Sequence, residues 1–401
     1  MGPLPEVRTI LLIVDYYLPS FKAGGPVRSI SNTVEALGDE FEFRIVTSDR
    51  DLGDVRPFDG IQHGQWIRVG KAQVLYLTPR DKRLGAWKRL LNTLQYDLIY
   101  HNSFFSTLTV MTLFLRRIRL IPPKPILVAV RGELGRGALS IKWFKKQVYL
   151  FLAKAVKFYE GVKWHASSEY ELAELLFVLG IPKASAFISV PPIYVAPDLP
   201  RKASALDEKS SKPAKQRGSA RIVFLSRIAR KKNLNVALEL LARVKGKVEF
   251  DIYGPLEDQG YWKECQQLMK QLPPSTVVNY RGTVHPDNVE RVFADYHLFL
   301  FPTRNENFGH VIHEAFCAGC LVLTSNTTAW RGLEARGVGW DIPLSDPEGY
   351  LRALNEVLEM DAAHFGERSS LAREFGDNFA NNPDLVAANR NMFLTVLKDA
   401  Q

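Results

Sequence analysis

Residues 297–326 read HLFLFPTRNENFGHVIHEAFCAGCLVLTSN. A short apolar run comes first, then a polar loop, then a segment with apolar residues at helical spacing, and a second apolar run ends the stretch. Continuous apolar runs of this length are typical of strands buried on both faces of a parallel sheet, and a helix between two of them forms the crossover. The stretch therefore predicts a strand–loop–helix–strand unit, the repeating unit of an α/β fold.

The same alternation of apolar runs and helical segments occurs in both halves of the chain. Predicted strands of the first half lie at 7–17, 41–49, 96–103, 125–132, 161–167 and 186–192. Further strands of the second half lie at 220–226, 247–255 and 277–282. Helical material follows these strands, so we predict an α/β protein with two doubly wound domains.

A change of composition separates the two halves. The segment 201–219 is polar, has no aromatic residue and shows no periodicity, which predicts a linker or a long surface loop. It divides a first domain over 1–200 from a second domain over 220–380. A C-terminal amphipathic helix is expected over 381–401. Whether this helix packs against the first domain stays open.

Composition favours a cytoplasmic protein. The chain has 401 residues, of which 46% are hydrophobic and 24% charged, and the 3 cysteines do not suggest a disulfide framework. The first apolar run is short and ends in Asp15, unlike a signal peptide, and no window reaches the length of a spanning helix. Peripheral attachment to the inner face of the plasma membrane stays an open alternative.

Positive charge is concentrated in one segment. Residues 116–163 hold 12 lysines and arginines against Glu133 and Glu160, whereas the whole chain carries a net charge of only +9. Within this segment WFKKQVYLFLAKAVKFY (143–159) interleaves cations with apolar residues at near-helical spacing. It predicts either a helix that contacts an anionic membrane surface or an ordinary amphipathic helix with a solvated basic side. Nucleic acid is not favoured as a partner, because no recognition module is evident.

Residues 305–320 contain residue types that also occur in metal sites and in redox-active cysteine pairs. His310, His313 and Glu314 share a helix face, but HVIHE is not the HExxH arrangement of zinc proteases, so a metal site is not favoured. Cys317 and Cys320 stand late in the predicted helix. A redox-active cysteine usually lies at a helix N-terminus, where its pKa is lowered. A redox pair is therefore not favoured either.

A phosphate-binding loop explains residues 305–320 better than a metal site or a redox pair does. Glu306 lies in the loop after a buried strand, where ligands bind in doubly wound sheets. The backbone amides of Phe308, Gly309 and His310 open the next helix and suit a phosphate group. Glu306 and Glu314 flank this position, and their carboxylates can accept hydrogen bonds from the hydroxyls of a sugar and a ribose.

Two cations follow the first strand of the second half. Arg227 and Lys232 lie in FLSRIARKKN, five positions apart. A solvated basic loop is one interpretation. The other is a pair of fixed cations that stabilise a diphosphate leaving group.

Residues 220–345 resemble glycosyltransferase family 4, the retaining nucleotide-sugar transferases of the GT-B fold. The resemblance rests on four features: Glu306-x7-Glu314 with Phe308-Gly309 inside it, Arg227-x4-Lys232, the YGP strand end at 253–255, and the YRGTV strand at 280–284. It implies two Rossmann-like domains that face a cleft, the first binding the acceptor and the second the nucleotide sugar.

The resemblance also implies residue roles. Arg227 and Lys232 would hold the donor diphosphate, Glu306 the transferred sugar, and Glu314 the ribose. Catalysis is thus assigned to Glu306, Arg227 and Lys232, with the amides of 308–310 completing the donor site.

In the first half, Gly25 would approach the phosphate from across the cleft. Many relatives have a histidine where this chain has VRGEL, so Arg131 or Glu133 stands there instead. These two residues and His101 are candidates for the acceptor side.

The implied reaction is front-face transfer with retained configuration and without a metal or other cofactor. Asp49-Arg50-Asp51 matches the metal-binding Asp-x-Asp of the other transferase fold, but such three-residue matches arise often by chance. The expected enzyme moves a hexosyl or N-acetylhexosaminyl group, with UDP as the preferred carrier, to a saccharide or lipid-diphosphate-linked acceptor. Bacterial surface polysaccharide biosynthesis is the expected setting.

Other functions stay open. A GT-B epimerase or hydrolase would release UDP without an acceptor, and a non-catalytic nucleotide-sugar-binding protein at the membrane surface would turn nothing over. A dinucleotide oxidoreductase is not favoured, because AGGP follows the first strand rather than G-x-G-x-x-G.

Overall fold

The computed structural model describes residues 7–135, 139, 143–181, 192–201, 212 and 214–399. The chain divides into two compact units. The first unit takes in Met1–Leu199 and Pro383–Gln401, and the second takes in Pro200–Asn382. Residues 202–211 and 213 of the predicted linker, and 186–191 of one predicted strand, lie outside the described residues.

The first unit is built on an eight-stranded sheet. Its strands are β1 (Arg8–Ile13), β2 (Phe41–Ser48), β3 (Trp66–Val69), β4 (Ala72–Leu77), β5 (Leu98–Asn102), β6 (Ile126–Ala129), β7 (Lys163–Ala166) and β8 (Ile193–Val195). They lie in the order β3-β4-β2-β1-β5-β6-β7-β8. All neighbours are parallel except β3 and β4.

Helices connect most of these strands and cover the faces of the sheet. They are α1 (Gly25–Leu37), α2 (Leu84–Thr93), α3 (Thr107–Arg117), α4 (Trp143–Ala155) and α5 (Glu169–Leu179). Because both faces are covered, β5 and β6 are buried at every residue.

The second unit holds a six-stranded parallel sheet. Its strands are β9 (Ser219–Leu225), β10 (Lys247–Tyr253), β11 (Thr276–Gly282), β12 (Leu298–Phe301), β13 (Leu321–Ser325) and β14 (Gly339–Ile342), in the order β11-β10-β9-β12-β13-β14. Its helices are α6 (Leu234–Leu241), α7 (Gln259–Met269), α8 (Val289–Ala294), α9 (His310–Cys317), α10 (Pro347–Glu359) and α11 (Ala362–Ala380).

The direction of winding reverses at β9. From β9 the chain proceeds outward through β10 to β11, then returns to place β12 on the other side of β9. The loops that leave the carboxyl ends of β9 and β12 therefore emerge side by side. Such a switch point is the usual ligand site of a doubly wound sheet.

The last helix, α12 (Pro383–Lys398), belongs to the first unit. The ring of Phe393 is fully buried, with centroid distances of 5.7 Å to Phe41, 6.1 Å to Phe43 and 5.4 Å to Tyr100. All three contacts are edge-on, the favourable arrangement for aromatic pairs. The helix thus completes the core on one face of the first sheet.

The predicted α/β fold with two parallel-sheet domains is confirmed. Sequence patterns did not indicate β3, β4 or β14. β3 has no buried residue and β14 has only four residues, so neither gives a strong apolar run, whereas β4 (AQVLYL) is buried at five of its six positions and was missed. No helix in the described ranges is long and apolar enough to cross a membrane.

Replacing Phe393 by alanine should destabilise the first unit by about 3–5 kcal/mol, because it leaves a cavity among three aromatic rings. Hydrogen-exchange mass spectrometry should then show faster exchange in peptides of β2 and β5. The neighbouring Leu394 is partly exposed, so Leu394→Ala is the matched control and should have a much smaller effect. Equal effects of the two substitutions would contradict the packing described.

Candidate active site

Two loops of the second unit meet at the switch point. β9 and β12 pair in parallel through Leu298 with Ile222 and Phe299 with Val223. Beyond the strands, the backbone amide of Arg304 donates to the carbonyl oxygen of Lys231 at 2.9 Å. The loop after β12 is thereby fixed to the loop after β9.

A buried ion pair lies where these loops meet. Lys232 Nζ donates to Glu306 Oε1, and the side chains of the two residues are only 10% and 15% exposed. The hydroxyl of Thr303 donates to the same carboxylate oxygen at 3.4 Å. Nζ of Lys232 also lies 5.5 Å from the ring centroid of Phe301. The sequence assigned Lys232 and Glu306 to different parts of a ligand, whereas here they contact each other.

A close backbone approach positions Arg227. The amide of Ser226 donates to Tyr253 O at 3.0 Å, so the loop after β9 runs against the end of β10. Gly254 has a φ of 137°, and a Cβ there would lie 1.8 Å from the carbonyl oxygen of Ser226. Only glycine permits this approach.

The side chain of Arg227 is partly exposed. Its NH1 donates to Glu257 Oε2 at 2.5 Å, and the two side chains are 37% and 46% exposed. A pair so open to solvent contributes little to stability, so the guanidinium can exchange this partner for a ligand oxygen. The sequence did not indicate Glu257, because its contact with Arg227 forms only where the ends of β9 and β10 lie side by side.

The N-terminus of α9 lies directly after Glu306. Gly309 precedes the helix in the left-handed conformation, φ 73° and ψ 62°, and as the N-cap residue it has no side chain to cap the first turn. Indole Nε1 of Trp330 donates to Phe308 O at 2.6 Å, which holds the entry to the helix. First-turn amides carry the positive end of the helix dipole and can bind an anion. Glu314 is buried within the same helix, one turn further along.

His313 is a packing residue. Its Nε2 donates to the carbonyl oxygen of Gly376 at 3.0 Å, and its ring lies 6.0 Å from Trp330 and 5.8 Å from Phe379. Burial lowers the pKa of His313 to about 4, so the ring is neutral. Across the described part of the chain, no cluster of three or more His, Cys, Asp or Glu residues is placed to hold a metal ion.

The three cysteines are buried and form no disulfide. Burial raises the pKa of the Cys320 thiol to about 12 and also raises that of Cys317. A raised pKa suppresses the thiolate that redox chemistry needs.

In the first unit, the loop before Gly25 is fixed by Asp51. Its carboxylate accepts from Ser20 Oγ at 2.5 Å, from the amide of Phe21 at 3.0 Å and from that of Lys22 at 3.2 Å. Burial alone would raise the pKa of Asp51, but these bonds outweigh it and the pKa is lowered. The second carboxylate of the Asp-x-Asp match thus orders a loop.

His101 does not reach the surface of its unit. It is fully buried at the end of β5, its Nδ1 lies 3.2 Å from Thr109 Oγ1, and burial lowers its pKa to about 3. A direct contact between this imidazole and an acceptor is therefore not available in this conformation.

Arg131 and Glu133 lie close together beyond the carboxyl end of β6. Arg131 Nε donates to Asn102 Oδ1 at 3.0 Å, and NH1 forms a buried ion pair with Asp198. Glu133 accepts from Ser103 Oγ at 2.7 Å. Burial raises the pKa of Glu133, against the effect of its hydrogen bonds. Both residues thus fix the loop after β5, and Asp198 was missed because it lies 67 positions from Arg131.

Comparisons with known proteins agree with this architecture. Residues 206–377 match the family model described as "Glycosyl transferases group 1". A curated protein of Klebsiella pneumoniae, "Uncharacterized 41.2 kDa protein in cps region", is 24% identical over 304 residues, which span 74% of this chain and 79% of the relative.

Solved structures share the fold over almost the whole chain. Sucrose-phosphate synthase from Thermosynechococcus elongatus matches with a TM-score of 0.70 and 17% identity, over 98% of this chain and 100% of that one. Anabaena Alr3699/HepE in complex with UDP and glucose matches with a TM-score of 0.66 and 17% identity, over 97% and 99%. Together, the family match and these neighbours support a glycosyltransferase of the GT-B fold.

Replacing Gly254 by alanine should lower the free energy of unfolding by about 1–3 kcal/mol, because the new methyl group must displace Ser226. Denaturant unfolding measures the loss, and hydrogen exchange should increase in the loop that carries Arg227. Gly366→Ala is the control, since apart from the adjoining backbone of α11 no atom lies within 4 Å of that Cβ position. A loss of similar size in both variants would contradict the steric argument.

The native protein should not react with a thiol reagent at neutral pH, because its three cysteines are buried and their thiol pKa values are raised. Absorbance after addition of dithiobis-nitrobenzoate should stay flat until guanidinium unfolds the chain. Rapid release of two equivalents from the folded protein would instead support the redox interpretation of Cys317 and Cys320.

Proposed function

We propose that this protein is a retaining glycosyltransferase of family 4 that uses a UDP-sugar. The observation that carries the proposal is the buried contact of Lys232 with Glu306 at the switch point, beside the N-terminus of α9. A cation, a carboxylate and helix-terminal amides are thereby collected in one place. These groups suit the phosphates and the sugar of a nucleotide diphosphate sugar.

In the proposed complex, Lys232 and Arg227 bind the diphosphate, and Arg227 gives up Glu257 to do so. The amides of Phe308, Gly309 and His310 face the phosphate and sugar, while Glu306 accepts hydrogen bonds from sugar hydroxyls. Glu314 receives the hydroxyls of the ribose.

The proposed reaction proceeds on one face of the sugar. The bond from the anomeric carbon to the phosphate oxygen breaks, and the acceptor hydroxyl oxygen bonds to the same carbon from the same side. The acceptor proton passes to the departing phosphate, and UDP leaves. Arg227 and Lys232 stabilise the charge that develops on the phosphate, so that no metal is required.

The comparisons lend support to the choice of donor and setting. Anabaena structures with this fold were solved with UDP and with UDP-glucose, which favours UDP as the carrier. The cps-region relative favours polysaccharide biosynthesis. We therefore propose transfer of a hexosyl or N-acetylhexosaminyl group to a saccharide or lipid-diphosphate-linked saccharide, on the cytoplasmic side. Acceptor binding is assigned to the first unit, through the loops that hold Gly25, Arg131 and Glu133.

Glu306→Gln should lower transfer by about 100-fold or more, because a preorganised charge beside the reacting sugar is removed while the shape of the side chain is kept. A chromatographic assay of sugar transfer measures the loss, and calorimetry should show that UDP still binds. Glu334→Gln is the control, since Glu334 is an exposed glutamate of the same unit. Full activity of the Glu306 variant would reject its assigned role. Release of UDP by the unmodified protein without an acceptor would instead favour an epimerase or hydrolase.

A further inference from the structure

Helix α4 is apolar on two opposite faces. The inner face packs on the core of the first unit: Leu150 and Ala153 are buried, and the ring of Tyr149 lies 5.8 Å from that of Phe105. The outer face does not pack on the described residues. On that face Phe144 and Phe151 are each 72% exposed.

The outer face is continuous. Successive residues of a helix are about 100° apart, so positions i, i+4, i+7 and i+8 share one face. These positions hold Phe144, Val148, Phe151 and Leu152, of which Leu152 is 55% exposed. A solvated helix normally carries polar residues here, so four apolar side chains in a row mark an interaction surface.

The ends of two neighbouring helices lie beside the end of α4. Arg117 Nε at the end of α3 donates to Val156 O just after α4, at 3.3 Å, and a Cβ on Gly180 after α5 would lie 3.5 Å from Lys154 Nζ. The ends of α3, α4 and α5 are therefore close together. Phe177, one turn before Gly180, is 82% exposed. We call Phe144, Val148, Phe151 and Leu152 the outer apolar patch.

Positive charge borders the outer apolar patch. By the same helical geometry, Lys145 lies on one side of the apolar face and Lys154 on the other, and both are exposed. Residues 143–163 hold five lysines against Glu160 alone. Arg136 and Lys142 of the basic segment lie outside the described residues. An apolar strip between lysines is the pattern of helices that lie in the headgroup region of a membrane, with the apolar side inserted and the cations at anionic headgroups.

We propose that the outer apolar patch docks on an anionic phospholipid surface, with α4 lying in the plane of the headgroups. A second copy of the chain fits less well. A two-fold interface would bring the same surface together from both copies, so that Lys145 and Lys154 would meet lysines. This docking goes beyond the proposed function and does not depend on it. If the acceptor is lipid-linked, docking would bring the protein to the membrane that holds the acceptor.

Sedimentation with vesicles tests the proposal on the full chain without any nucleotide. The protein should sediment with vesicles of equimolar phosphatidylcholine and phosphatidylglycerol, and much less with phosphatidylcholine alone. Phe144→Ser with Phe151→Ser should weaken partitioning roughly tenfold per residue, or about 1.4 kcal/mol each. Lys145→Glu with Lys154→Glu should weaken it at least about fivefold per lysine, on the anionic vesicles only.

Matched control variants distinguish vesicle binding through the outer apolar patch from nonspecific adsorption. Val55→Ser with Val277→Ser removes exposed apolar residues elsewhere, and Lys263→Glu with Lys270→Glu changes charge by the same amount in the second unit. Both control proteins should partition like the unmodified chain. All variants should bind UDP equally in calorimetry, so that a failure of the proposed function is seen independently of a failure of docking.

Three results would overturn the proposal. One is partitioning of the unmodified chain no stronger than that of Phe144→Ser with Phe151→Ser. Another is an equal loss in the control variants. The third is a dimer in sedimentation velocity that dissociates when Phe144 and Phe151 are replaced, which would assign the patch to a second copy.

Discussion

Parallel strands cannot be joined by a tight hairpin, and this constraint organises both units. Most crossovers run through a helix that covers a face of the sheet, and the loops that follow the parallel strands emerge at the same edge. Where the winding reverses, two such loops leave neighbouring strands with no helix between them. The candidate active site of the second unit occupies the point of reversal, so its position follows from topology before any side chain is considered.

The contact of Lys232 with Glu306 is best understood as a preorganised pair. Taking both charges out of water is costly, and their attraction repays this cost only when the geometry is good. Thr303 contributes a further hydrogen bond to the carboxylate, and the fixed loops hold both side chains in place. An arriving diphosphate would add negative charge beside Lys232 and hydroxyls beside Glu306, so the ligand would complete a polar cluster that is already assembled.

Much of this arrangement could be predicted from the sequence, because strands buried on both faces give apolar runs and Glu306 lies beside an evident helix start. The pairing of Lys232 with Glu306 could not, since the two residues are 74 positions apart and meet only through the order of β9 and β12. His101 was a candidate for the acceptor side, yet all of β5 is buried, and the contact of its ring with Thr109 of α3 arises only in the folded unit. Sequence periodicity indicates the apolar faces of α4 but not which face packs inward.

The first unit is built from two segments that are far apart in the sequence, and this has a consequence for how the protein is made. Arg390 and Glu40, which are 350 positions apart, form a bidentate ion pair next to the aromatic contacts of Phe393. On the ribosome, β1, β2 and β5 emerge early, while the helix that covers one of their faces emerges after all of 200–382. The second unit has every element it needs before the first does. Nascent chains must therefore keep the face around Phe41 and Phe43 from aggregating until residues 383–398 have been made.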